Sequence, residues 1–125
     1  MNKRDPKLTA LLFNECINNQ DVDSLVALMT EDHSLVCNGH VDTQNKDSSR
    51  EVWSTFFSMY PDYLNHFSRL DSRDDFVVIT GKSTCSNEAR LNTNALWSAK
   101  VLDDKIAEWQ VYEDNSANRR KLHIQ

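Results

Sequence analysis

The spacing of apolar residues changes at Pro61, and that change bounds the folds open to this chain. Before Pro61, apolar side chains recur every three or four residues, as on one face of a helix; after it they alternate, as on a strand. Helices followed by a run of strands, within 125 residues, predict one α+β domain in which the helices cover one face of a sheet.

The helical half has its own punctuation. In "DPKLTALLFNEC", Asp5 can accept the first free backbone donors and Pro6 sits where a missing N–H costs nothing, so a helix is expected with Leu8, Leu11, Leu12 and Cys16 on its buried face. "NNQDVDSLVALM" restarts the pattern from Asp21, with Val22, Leu25, Val26 and Met29 as the stripe. "SSREVWSTFFSMY" carries a capping-box pattern, Ser48 and Glu51, and an apolar face of Val52, Trp53, Phe56, Phe57 and Tyr60 before Pro61 stops it.

A strand is expected from Ser34 to Cys37, reversed at Asn38-Gly39. After Pro61, extended stretches are expected near 63–70, 76–85, 94–102 and 105–113, and their short connections favour antiparallel neighbours. In the last strand Ala107, Trp109 and Val111 share one face; Ile106, Glu108, Gln110 and Tyr112 share the other, which could meet a second copy of the sheet. The expectation is one domain over 1–125, with a core of about 5–115 and a polar tail at 116–125.

Charge and composition remove several function classes. A net charge of −5 gives phosphate backbones little to hold, and the one basic cluster, Arg119 to Lys121, reads as a solvated tail, so nucleic acid is not an expected partner. No apolar run is long enough to span a membrane, and no signal-peptide core follows the first residues. Cys16, Cys37 and Cys85 are odd in number and widely spaced, which fits free thiols in a reducing, cytoplasmic setting.

The order helix, helix, strand, helix, strands, with the segments "LMTEDHSLVCNG", "FFSMYPDY" and "LWSAKVLDDKIAEWQVYEDN", resembles the SnoaL-like polyketide cyclase family of the nuclear-transport-factor-2-like (NTF2-like, cystatin-like) superfamily, from about Leu11 to Asn115. That resemblance implies three N-terminal helices on a strongly curved antiparallel sheet of five to six strands, shaped as a cone. It also implies an apolar pocket at the open end, a homodimer packed through the sheets, and no metal or organic cofactor. Relatives span cyclases, isomerases and hydrolases, so the reaction must be argued from the site. The acid that the cyclases carry on the last strand is replaced here by Val111, or by Gln110 after a one-residue shift, and the base of the isomerase branch falls on Cys37 or Asn38.

The remaining candidates are few. His33, Cys37 and His40 are metal-ligating residue types, but the turn at Asn38-Gly39 carries His40 away from the face of the other two. Cys37 could act as a nucleophile with His33 as its base, and Glu113, on the parity of Trp109 and Val111, could be an inward acid or base at the rim. His66 could enter the pocket from the face it shares with Leu64 and Leu70, while Asp62 and Asp114 read as turn and exit-loop residues. Trp53, Phe56, Phe57, Tyr60, Trp97, Trp109 and Val111 are the expected pocket lining. Two function classes follow: binding or transforming a small apolar molecule, or a non-catalytic dimerising or carrier module with a filled interior.

Overall fold

The computed structural model describes residues 4–124; the outermost ends of the expected domain, 1–3 and 125, lie outside the described residues. Helix α1 (Pro6–Asn19) starts on Asp5, whose carboxylate accepts the Lys7 N–H. Its buried residues are Thr9, Ala10, Phe13, Asn14 and Ile17. The expected stripe was therefore rotated by about a residue: Leu8 and Leu11 face outward, and Phe13 carries the packing. Helix α2 (Val22–Ala27) is capped by Asp21 as expected, but Met29 opens the next strand instead of closing the helix. Helix α3 (Lys46–Met59) begins three residues early, because Asn45 takes the capping role and accepts the Ser48 N–H. It turns Trp53 and Phe57 inward and leaves Val52 exposed.

Six strands, β1 (Met29–Cys37), β2 (His40–Thr43), β3 (Leu64–Arg73), β4 (Phe76–Thr84), β5 (Thr93–Leu102) and β6 (Lys105–Glu113), form one sheet in the order β2-β1-β6-β5-β4-β3. Asn38 and Gly39 both take positive φ in the β1–β2 turn, the backbone a two-residue hairpin requires. All pairings are antiparallel except β1 with β6, which is parallel and made possible by the long excursion between them.

Three corrections concern the sheet. It is not strongly curled. Residues expected as a polar tail instead form helix α4 (Ser116–Lys121), and Leu122 packs with Val78, Leu96 and Tyr112 on the outer face. The sheet is thus held between two layers instead of wrapping around one. Irregularities then move two residues between faces: one between Lys100 and Val101 brings Ile106 into the inner core beside Trp109, and one in β3 between Phe67 and Arg69 turns Leu70 inward. Gly81 sits opposite that second bulge, and a Cβ there would collide with the His66 carbonyl oxygen.

Among the described residues, no helix is long and apolar enough to cross a membrane.

Candidate functional site

The inner face of the sheet is ordered by depth. The parallel register of β1 and β6 sets Cys37 beside Val111 and Leu35 beside Trp109, and Asn38 Oδ1 accepts the Glu113 N–H at 2.8 Å beyond them. At that end a recess of about 330 Å³ is lined by Asn38, Tyr63, Ser83, Arg90, Val111 and Glu113, among others. Four residues of extended chain, about 13 Å, separate Cys37 from His33, which lies deep on the same strand.

Aromatic rings fill the distance between. Phe67 stands 4.9 Å from Trp97 and 6.3 Å from Trp109, and Phe13 stands 4.7 Å from Trp109 and 5.8 Å from His33. On the α3 side Trp53 meets Phe56 and Phe57, and Phe56 reaches Tyr60 and Tyr63. Trp97, Trp109 and His33 are fully buried. Of the expected lining, Trp53, Phe57, Trp97 and Trp109 are buried core members, while Phe56, Tyr60 and Val111 pack against them half-buried.

Four ring nitrogens in this core have no hydrogen-bond partner among the described residues: Nε2 of His33 and Nε1 of Trp53, Trp97 and Trp109. His33 Nδ1 lies 2.7 Å from the Ile106 carbonyl oxygen, which can only accept; Nδ1 therefore carries the proton and Nε2 is a bare lone pair. Burial lowers the pKa of this imidazole, so it is held neutral. A buried polar group left unpaired costs about 1–3 kcal/mol, so four in one core call for an explanation.

Other buried polar side chains are paired. A relay runs from α1 to that recess: Asn65 Nδ2 donates to Asn14 Oδ1 at 3.1 Å, Ser83 Oγ donates to Asn65 Oδ1 at 2.9 Å, and Ser83 Oγ lies 3.1 Å from Tyr63 Oη. Burial raises the Tyr63 pKa.

The remaining candidates are dispersed. The Cys37 thiol is pushed up to about 12, by burial first and then by its hydrogen bond to the Asp42 carboxylate and that group's charge, and His33 is too distant to deprotonate it. His40 is exposed on β2, and among the described residues no three His, Cys, Asp or Glu side chains gather as metal ligands do. His66 is on the outer side of β3, exposed, with Nε2 at 3.0 Å from Thr84 Oγ1; the bulge that turns Leu70 inward leaves it there. Glu113 is exposed at the rim of the recess. Hydrogen bonds from Ser86, its side chain first and then its backbone N–H, lower the Asp62 pKa, and Asp114 is held low by Arg119, whose Nε is 2.6 Å away.

Sequence reasoning missed Phe13, Phe67 and the relay. Tyr63, Asn65 and Phe67 share one strand parity, the signal that places all three inward; the polarity of Asn65 obscured it.

No family model and no curated protein matches the sequence. Solved structures do match the fold. An uncharacterised cystatin-fold protein from Novosphingobium aromaticivorans is similar over 86% of this chain and 97% of its own, at 20% identity and a TM-score of 0.77. A candidate polyketide cyclase from Sinorhizobium meliloti is similar over 86% and 99%, at 13% identity and a TM-score of 0.75. An LEH-like epoxide hydrolase of M. tuberculosis is similar over 87% and 82%, at 14% identity and a TM-score of 0.75. With helices on a six-stranded, mostly antiparallel sheet, the chain has the cystatin, or NTF2-like, fold that these proteins share.

Proposed function

We propose that the inner face of the sheet, entered at the recess beside Asn38 and Glu113, binds a small, largely apolar ring compound that carries one or more polar atoms. One observation carries this reading: the buried polar atoms left unpartnered among the described residues are four ring nitrogens, all in the aromatic core behind that recess. Three are donors and one is an acceptor, the mixture that fixes the orientation of a ligand gripped mainly by aromatic surface. Proteins of like fold named as a polyketide cyclase candidate and an epoxide hydrolase agree with a small organic ligand.

The residues support binding more directly than turnover. Cys37 is a protonated thiol, Glu113 is exposed, and the resemblance to the cyclases puts Val111, or Gln110 after a one-residue shift, where they keep an acid. If the ligand is transformed, neutral His33 is the buried group able to take a proton from it, without metal or organic cofactor.

A second reading, a dimerising or carrier module with a filled interior, is favoured by Phe67, whose ring contacts both Trp97 and Trp109. The two separate in a thermal-shift screen of aromatic, steroid and polyketide-like compounds. At about 100 times its dissociation constant a true ligand adds about 2.7 kcal/mol and raises the midpoint by several degrees. Uniform silence, together with a dimer that dissociates only on unfolding, supports the module.

A further inference from the structure

We infer that the mouth of this site selects ligands that donate a hydrogen bond, because the buried relay from Asn14 to Tyr63 leaves the Tyr63 hydroxyl able only to accept from the recess. The inference rests on the binding reading above and names the ligand chemistry its mouth would take.

The polarity follows from counting protons. Asn18 first fixes β3 against α1: its amide nitrogen donates to the Asn65 carbonyl at 3.0 Å, and its amide oxygen accepts the Asn65 N–H at 2.8 Å. On the Asn65 side chain, Nδ2 is committed to Asn14 Oδ1, so Oδ1 faces β4 and accepts the Ser83 hydroxyl proton. A serine hydroxyl has one proton. Its contact with Tyr63 at 3.1 Å must therefore be a bond that Tyr63 donates. Tyr63 also has one proton, and what its oxygen keeps is lone-pair capacity.

Tyr63 and Ser83 are buried yet both line the mouth recess, with Val111 on its apolar side. An incoming ring compound meets an acceptor there, and a hydroxyl or N–H group is the complement. A carbonyl or ether in the same place meets lone pairs with lone pairs. A phenol or other hydroxylated ring of modest size is the ligand class.

The test is a nuclear magnetic resonance titration of the full chain with three probes of similar bulk: para-ethylphenol, which can donate; para-methylacetophenone, which can only accept; and propylbenzene, which can do neither. The expected order has the phenol bound about tenfold more tightly than the ketone. Ser83→Ala removes the acceptor of the Tyr63 proton and frees it for the ligand, so the ketone should gain affinity and the phenol's advantage over it should shrink to about twofold or less. Tyr63→Phe should bind all three alike. Equal affinities in the unaltered protein, a preference for the ketone there, or a preference that Ser83→Ala leaves unchanged would overturn the inference while the pocket reading stands. Failure of all three probes to bind would overturn both.

Discussion

The two faces of the sheet handle buried polarity in opposite ways. On the outer face Val78, Leu96 and Tyr112 lie under Leu122, Ser98 Oγ is 3.0 Å from Tyr112 Oη, and Arg73 holds the Leu122 and His123 carbonyls at 3.0 and 2.8 Å. The chain's own C-terminal segment covers that part of the face. On the inner face larger rings form the core, yet four of their nitrogens find no partner among the described residues. The polar groups of the outer face find partners in the chain, whereas the four inner nitrogens find none among the described residues, which is what the proposed ligand would supply. A stability core would have favoured Phe or Leu at these positions, because indole and imidazole nitrogens are costly to bury unpaired.

The largest effect that would sharpen the contrast is expected at Phe13, which links His33 to Trp109. Phe13→Ala should cost about 3–5 kcal/mol in urea unfolding; a cost below about 1 kcal/mol would mean that the inner rings are loosely packed and the contrast is misdrawn. On the outer face Leu122→Ala should cost about 2–4 kcal/mol, where a polar tail would have cost nothing measurable.

A smaller effect depends on pH. Burial depresses the His33 pKa in the folded state, so as pH falls through the unfolded value of about 6.5 the unfolded chain gains a proton that the folded one does not. Stability from this group is therefore complete above about pH 6.5 and falls by about 1.4 kcal/mol per pH unit below it, until the folded pKa is reached. Unfolding curves between pH 7 and about pH 5 should show the slope, and His33→Phe should flatten it. Equal slopes in both proteins would place the imidazole in contact with water. The smallest effect is expected at the finished outer pair: Tyr112→Phe should cost about 1 kcal/mol, by leaving the Ser98 hydroxyl without its partner.

Much of the fold was legible in the sequence because each element carries local punctuation. Asp5-Pro6, Asp21, Asn38-Gly39 and Pro61 act within a few residues of themselves, and they placed helices, turn and strands near their observed bounds. What was not legible depended on distant partners. The rotation of α1 that buries Phe13 is decided by the sheet it lies on, and the bulges that turn Ile106 and Leu70 inward are decided by strand pairing. The aromatic residues of the inner core, Trp53, Phe57, Trp97 and Trp109, could be named from strand parity and helix period. The Asn14–Asn65–Ser83–Tyr63 relay could not, because a buried Asn reads as exposed until its partner, about fifty residues away in the chain, is known. Helix α4 was lost in a charged stretch whose apolar contacts come from Leu122 and Ile124 beyond it.

The most direct test of an unfinished inner face is to label the tryptophans with ¹⁵N and follow their indole N–H signals while titrating in para-ethylphenol, with propylbenzene as the apolar control. The account predicts that the Trp97 and Trp109 indole signals move together and saturably with the phenol, as its ring enters the aromatic core around them. Indole signals that stay fixed at saturating probe, with the midpoint of unfolding unchanged, would contradict it and make the inner face as complete as the outer one.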